Sequence, residues 1–234
     1  MSSVDKQLPG RSDKVHRALG REALIEVAAA LMDEHGIDQV SDNQIIQVSG
    51  HRNRSAVKYH FGSRDDLVRA VMVPAREKMD AERNALLDHL ETVGGQVSAR
   101  SAIEVAVGPL ARQLRTPEGR RHLRLTAQVL DHPRFASEVR DALWANVSNG
   151  SGLARSAALV GPYMQHLPVA VRMERGSLAM GFVVRACADQ ARLLDSPSPL
   201  RAPLGLETFM ANLVDMVLAL LLAPTSVPMT SREP

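Results

Sequence analysis

The amino-acid sequence predicts an all-helical protein. Aromatic residues make up only 3% of the 234 residues, and no run of β-branched residues alternates with period two, so a β-rich fold is not expected. Apolar residues recur instead at spacings of three and four between Pro, Gly and Ser residues, which is typical of successive amphipathic helices. The hydrophobic content of 45% is enough to bury a sizeable core.

The chain begins with a basic segment and a first long helix. Residues 1–16 are polar and basic, and we expect them to form a flexible arm. A helix is predicted at about 17–35, because Leu24, Ala28 and their neighbours share one apolar face. Gly36 is its predicted stop.

Two short helices are predicted next. Ser41, followed three residues later by Gln44, has the pattern of a capping box, which predicts a helix from Asp42 to Val48. Gly50 supplies a turn, and a third short helix fits about 53–60.

A fourth helix should open at Ser63, which forms a second capping pattern with Asp66, and should continue to about residue 92 with a kink at Pro74. The next predicted helix begins after Ser98 or Ser101. Thr116 followed by proline predicts another helix start. Further helices are predicted at about 118–131, 134–147 and 152–165.

The last two predicted helices, about 169–194 and 206–223, have apolar seams spaced alternately by four and three residues. The first seam is rich in small residues and the second in large ones. Two interpretations stay open, an intramolecular core and half of a four-helix dimer interface. The seam residues are Met173, Ser177, Met180, Val184, Cys187, Ala191 and Leu194, then Leu206, Met210, Leu213, Val217 and Leu220.

A stretch of positive charge follows the turn at Gly50. Arg52, Arg54, Lys58 and Arg64 lie in residues 52–64, which contain no acidic residue, although the net charge of the whole chain is only +2. Two short helices joined by a glycine turn, with the second one basic, form the helix-turn-helix unit that enters the major groove of DNA. Arg and Lys neutralise phosphates and bond guanine edges, whereas a carboxylate there would repel phosphate.

The same region resembles the tetracycline-repressor (TetR) family of transcriptional regulators. The motif is YHFGSRDDL at residues 59–67, preceded by REALIEVAAALMDEHG at 21–36 and by the segment Ser41–Gly50. The resemblance covers residues 17–70. Two features depart from the family pattern: the span from Gly50 to Phe61 is one residue longer than usual, and the commonest tyrosine position holds Lys58.

The resemblance implies which side chains meet DNA. Val57 and Phe61 are expected in the core rather than at the interface. The resemblance places Arg54, Ser55, Ala56 and Lys58 on the exposed face that meets base edges. It places Tyr59, His60, Ser41, Gln44 and Arg64 at phosphate-contacting positions. Arg52 and Asn53 stand at the helix entry and could reach either bases or phosphates, and the N-terminal arm could follow the DNA backbone or minor groove or be simply disordered.

The resemblance also implies the domain organisation and partners. A two-fold homodimer, formed through the helices at about 169–194 and 206–223, would bind a pseudo-palindromic operator in double-stranded DNA. A small-molecule effector of unknown identity would bind in the C-terminal domain. The expected domains are an arm (1–16), a helix-turn-helix domain (17–66), an effector-binding and dimerisation domain (67–223) and a disordered tail (224–234).

No ligand-binding residue is assigned from the sequence. Aromatic and Met residues suit adaptable apolar pockets, and arginines could anchor an acidic ligand, although each of these residues has an ordinary role as core or ion pair. The candidates considered are Phe135, Trp144, Tyr163, Met164 and Met173, with Arg172, Arg175 and Arg185.

Enzymatic, metal-binding and cofactor-binding roles are not expected. The sequence has no Walker loop, no G-x-G-x-x-G and no H-E-x-x-H motif. The pairs Ser55 with Lys58 and Ser41 with Asn43 echo penicillin-binding enzymes, but their order is reversed and no K-T-G follows. The single cysteine, Cys187, excludes an internal disulfide framework and favours the cytoplasm. The remaining alternative is a helical carrier or adaptor without specific DNA binding.

Overall fold

The computed structural model describes residues 11–94, 96–135 and 151–226. These residues form nine α-helices and no strand, so the all-helical prediction is confirmed. Residues 1–10, most of the predicted helix at 134–147 and the tail from residue 227 lie outside the described residues. The helices are α1 (Arg11–His35), α2 (Asp42–Val48), α3 (Ala56–Phe61), α4 (Arg64–Val93), α5 (Ala99–Arg112), α6 (Pro117–Asp131), α7 (Gly152–Val160), α8 (Val169–Asp195) and α9 (Leu206–Leu222).

Most helix boundaries agree with the sequence signals. Ser98 caps α5, and the Thr116 side chain accepts a hydrogen bond from the Gly119 amide at the start of α6. The first helix differs, because it begins at Arg11 rather than at about residue 17. Residues 11–16 are therefore helical and do not belong to the predicted arm.

The chain divides into two compact units between Val73 and Pro74. This point lies inside α4, which runs through Pro74. The first turns of α4, including Leu67 and Val68, are buried and belong to the first unit.

The second unit has one large hydrophobic core. In it α6 packs against α8, and α5 packs against α7 and α9. The centres of both predicted seams lie in this core: Val184, Cys187, Ala191, Leu213 and Val217 are at most 5% exposed. These residues support the intramolecular interpretation of the seams, so an interface on α8 and α9 would have to use other positions.

In the part of the chain that the structure describes, no helix is both long and apolar enough to cross a bilayer.

Candidate functional site

The helix-turn-helix begins with the capping box predicted at α2. The Ser41 oxygen accepts from the Gln44 amide at 3.3 Å, and the Gln44 side-chain oxygen accepts from the Ser41 amide at 2.8 Å. Both residues are exposed. Because the box uses oxygen atoms, the side-chain nitrogen of Gln44 keeps both of its N–H groups for another acceptor.

The turn after α2 is closed by backbone hydrogen bonds. Gly50 has a φ of 72°, a conformation that glycine adopts without strain. Its amide donates to the Gln47 carbonyl at 3.2 Å, and the His51 amide donates to the Ile46 carbonyl at 3.1 Å. This pair of bonds is the Schellman arrangement, which ends α2 and directs the chain toward α3.

His51, which follows the turn glycine, packs against residues of α1 and α3 and against Ser49 at the end of α2. Ser49 donates to the Ile46 carbonyl, so its oxygen accepts from His51 Nδ1 at 3.0 Å. The His51 and His60 rings lie edge to face, 6.1 Å apart. A Cβ on Gly20 would lie 3.1 Å from His51 Nε2, so a glycine in α1 gives the ring its room.

Helix α3 begins later than predicted, at Ala56 instead of about residue 53. The cause is local: the Asn53 side chain accepts from the Ser55 amide at 2.9 Å, and the Asn53 carbonyl accepts from the Ala56 amide at 3.0 Å. Such side-chain bonds favour a turn over a helix. Residues 52–55 therefore form an exposed segment that leads into the short helix α3.

The cationic side chains of residues 52–58 are exposed on the surface of α3 and of the segment before it. Tyr59 is 57% exposed, and His60 is half-buried between the Tyr59 and Phe61 rings. Among the described residues, no side chain pairs with those of Arg52, Arg54 or Lys58. On this element the exposed predicted contacts are Arg52, Asn53, Arg54, Ser55, Lys58 and Tyr59.

One of the predicted contacts is corrected by the structure. Ala56 is only 2% exposed, like Val57, so it packs inward and does not lie on the face predicted to meet base edges. Val57 is in the core as expected, whereas Phe61 is half-buried and its ring lies 5.1 Å from the Arg21 guanidinium.

Arg64 has hydrogen-bond partners within the protein. Its Nη1 donates to Asp42 at 3.1 Å, and its Nη2 donates to the carbonyls of Ile37 and Val40 at 3.1 and 2.8 Å. These bonds tie the start of α4 to the loop before α2. The guanidinium is therefore turned toward the protein, a structural role that the sequence did not predict; its phosphate contact stays a prediction.

The second unit contains a cavity of about 440 Å³. Residues of α4, α5, α7, α8 and α9 line it, and most of them are aliphatic or Met. Of the sequence candidates, Met164, Met173 and Arg172 line the cavity. Phe135 and Tyr163 are not among the described lining residues, and Trp144 lies outside the described residues.

The other two arginine candidates have protein partners. Arg175 donates to the carbonyls of Leu221, Ala223 and Pro224, where α9 ends. Arg185 forms an ion pair with Asp131. Neither lines the cavity.

Arg83 lines the cavity and was not considered from the sequence. It is only 7% exposed, and burial lowers its pKa to about 10. A sequence signal existed: Met79, Arg83 and Leu87 follow each other at intervals of four and all three are buried, so an arginine interrupts an apolar stripe of α4.

The structure adds no reactive centre to these two sites. Cys187 is fully buried, and burial raises the pKa of its thiol to about 12, so it is an inert core residue at neutral pH. Within residues 11–94, 96–135 and 151–226, no three His, Cys, Asp or Glu side chains are close enough together to hold a metal ion.

Comparison with solved structures identifies the fold. A structure from Shewanella sp. PV-4, assigned to the TetR family of transcription regulators, aligns over 86% of this chain and 95% of its own, with a TM-score of 0.55 and 17% identity. A TetR-family regulator from Streptomyces coelicolor A3 aligns over 91% of this chain and 99% of its own (TM-score 0.47, 17% identity), and a superantigen over 84% and 95% (TM-score 0.42, 18% identity).

The sequence matches no family model and no curated protein. At such identities the first of these structures establishes the fold alone. The chain has the all-helical fold of a TetR-family regulator, as the sequence motif predicted.

Proposed function

We propose that this chain is a ligand-responsive DNA-binding regulator of transcription, a repressor that binds a pseudo-palindromic operator as a homodimer. The observation that carries the proposal is the unpaired, acid-free cationic face formed by residues 52–58 in a helix-turn-helix. A cation that has no protein partner is available for phosphate or for a base edge.

The exposed side chains divide into two expected roles. Arg54 and Lys58 are the best placed for base edges, because they flank the start of the recognition helix and point to solvent. Gln44, Arg52 and Tyr59 are the expected phosphate contacts, since phosphate contacts fix position while base contacts fix sequence. His60, which is half-buried, is also an expected phosphate contact.

Homodimerisation through α8 and α9 is part of the proposal. One recognition helix reads only a few base pairs, and two copies related by a two-fold axis reach useful affinity. The buried seam centres cannot supply the contact, but large apolar side chains on these helices face outward, notably Leu178 at 56% and Met216 at 38% exposure. These two positions are the proposed anchors of the interface.

The cavity in the second unit is the proposed effector site. Thermodynamic linkage requires that an effector which weakens DNA binding must itself bind the DNA-bound form less tightly. Release of the operator by the effector is the proposed regulatory event, which makes repression the expected direction.

The decisive experiment selects binding sites from a random pool of duplex DNA. We expect the wild type to enrich a two-fold-symmetric site, and we expect the Arg54→Ala, Lys58→Ala double variant to lose it, because each lost base contact costs about 1–3 kcal/mol. A Lys78→Ala, Arg201→Ala double variant removes the same charge from exposed positions of the second unit outside α8 and α9, and it should select the wild-type site.

The second candidate function is a helical small-molecule carrier or adaptor without specific DNA binding, which the internal cavity favours. It replaces the regulator if the wild type enriches no sequence even at low salt. If wild type enriches a site and the two double variants behave alike, the proposed roles of Arg54 and Lys58 are wrong.

A further inference from the structure

The chemistry of the cavity wall defines the kind of molecule that fits it. A volume of about 440 Å³ lies in the range of small-molecule sites, about 300–1,000 Å³. Aliphatic and Met side chains form most of the wall, so an apolar body suits the interior. The polar side chains among the described lining residues are Arg83, Arg172 and Ser156.

Arg83 is a buried cation without an acidic partner. Its Nε donates to the Ala106 carbonyl at 3.0 Å, and no carboxylate among the described residues pairs with it. The charges of Asp80 and Glu82 favour the ionised form of Arg83 from a distance, but both acids have other partners: Asp80 accepts from the Leu153 amide at 3.4 Å, and Glu82 pairs with Arg112 at 2.5 Å.

The terminal nitrogens of Arg83 border open space. They have no hydrogen-bond partner among the described residues. Every buried side-chain nitrogen in the described part of the chain has such a partner, so the terminal nitrogens of Arg83 must be accessible to solvent. We infer that these exposed nitrogens open toward the cavity, because Arg83 is one of the residues that line it. A guanidinium is planar and presents two parallel N–H groups, the geometry that matches a carboxylate.

The charge of the wall is one-sided. Arg172, a half-buried residue of α8, also lines the cavity and has no side-chain partner among the described residues. No Asp or Glu is among the described lining residues. A neutral ligand would leave a buried charge unpaired, whereas an anion would compensate it.

The remaining polar group argues against a phosphate ester. The Ser156 hydroxyl already donates to the Gly152 carbonyl at 2.7 Å, so it offers no hydrogen to a second anionic oxygen. A dianionic phosphate needs more donors than the Arg83 fork supplies, so it would have to draw on the half-buried Arg172 as well. A planar monoanion needs only that fork.

We propose that the cavity binds a monocarboxylate with an apolar body, held at its carboxylate by Arg83, with Arg172 as a second cation in the same wall. Its role as effector rests on the proposed function, whereas its binding does not. The fit of α7 against α4 positions this site, since a Cβ on Gly152 would lie 2.5 Å from Arg83 Cβ and 2.9 Å from the Asp80 carbonyl oxygen.

Calorimetric titration with decanoate and with decanol tests the proposal. The two probes share an apolar chain and differ in charge. We expect wild type to bind decanoate at least about tenfold more tightly than decanol, which is about 1.4 kcal/mol. Arg83→Met should remove that preference, Arg83→Lys should keep part of it, and Arg185→Met, which removes an arginine outside the cavity, should leave it intact.

Wild type that binds neither probe, or that binds both equally, overturns the proposal, and so does an Arg83→Met variant that still prefers decanoate. The comparison of the two probes on wild type needs no variant, so a variant that fails to fold does not rescue the idea. Thermal unfolding of each variant identifies that case.

Addition of decanoate to the complex with the selected DNA separates this proposal from the proposed function. Decanoate binding together with no selected DNA site would retain the cavity assignment and remove the regulator. A selected site together with no decanoate binding would retain the regulator and remove the cavity assignment. Release of DNA by decanoate but not by decanol is expected if both hold.

Discussion

Each unit contains cationic side chains without an ion-pair partner among the described residues, and the two units differ in how exposed these side chains are. Arg52, Arg54 and Lys58 in the first unit are exposed, while Arg83 in the second is 7% exposed. An exposed cation remains hydrated without a partner and suits a hydrated polyanion such as DNA. A buried cation loses hydration on folding, so it favours a single anion that enters the same apolar space. Exposure, more than residue type, distinguishes the two proposed ligands.

Salt dependence gives the largest contrast between the two sites. For a dimer making 6–10 phosphate contacts, DNA affinity should fall by about 10³–10⁵ between 50 and 200 mM salt. Decanoate affinity should change only a few-fold over the same range, because a buried pair is screened much less than an exposed one. Fluorescence anisotropy of a labelled duplex and calorimetry of decanoate measure the two slopes.

Equal slopes would break the comparison. A shallow slope for DNA would mean that the exposed cations do not neutralise phosphates. A steep slope for decanoate would mean that its carboxylate stays at the surface and does not reach Arg83.

Local signals explain what the sequence predicted well. The Ser41–Gln44 box and the Thr116 cap involve residues three apart, so the chain itself determines them. The roles of Arg64 and Arg83 depend on groups 22 to 27 residues away along the chain. No local pattern distinguishes an arginine that faces DNA from one that binds a distant carbonyl.

The error at Ala56 has a local origin. The resemblance transferred roles by position, but the Asn53 turn delays the start of α3 and thereby turns Ala56 inward. Arg83 was predictable in principle, because it stands in the apolar stripe of α4. Its meaning required the cavity, which five helices form together.

The pH dependence of stability tests whether burial controls ionisation in the second unit. Burial lowers the pKa of His122 from 6.5 to about 4. The Thr126 hydroxyl donates to the His122 carbonyl at 2.7 Å. Its oxygen can therefore accept a hydrogen bond from the His122 ring, at 3.3 Å. The unfolded chain binds this proton below pH 6.5 and the folded chain only near pH 4. Folding stability should therefore fall as the pH drops through that window, by up to about 3 kcal/mol.

Urea unfolding of wild type and His122→Gln between pH 7 and pH 4 measures this loss. The free energy of unfolding of the variant should decline less than that of wild type. His166→Gln alters an exposed histidine of the same unit and should follow wild type. A His122→Gln profile parallel to wild type would mean that the ring reaches water and can be protonated in the folded state.

The smallest of these expected effects separates a structural arginine from a DNA-contacting one within the first unit. Arg64→Met removes an ion pair with Asp42 and two bonds to carbonyls, and it should lower the free energy of unfolding by about 2 kcal/mol, since bonds to charged groups contribute about 1.5–3 kcal/mol each and the site is partly solvated. Arg54→Ala should leave stability within about 0.5 kcal/mol, because Arg54 is exposed and unpaired.

Urea unfolding, followed by operator binding at a temperature where both variants are folded, distinguishes the two roles. Arg54→Ala should bind operator more weakly although its stability is unchanged. Arg64→Met should recover most of its operator affinity once it is fully folded. If Arg64→Met is as stable as wild type but no longer binds operator, then Arg64 leaves its internal acceptors to bind phosphate. Arg64 would then belong to the DNA-contacting residues and not to those that only support them.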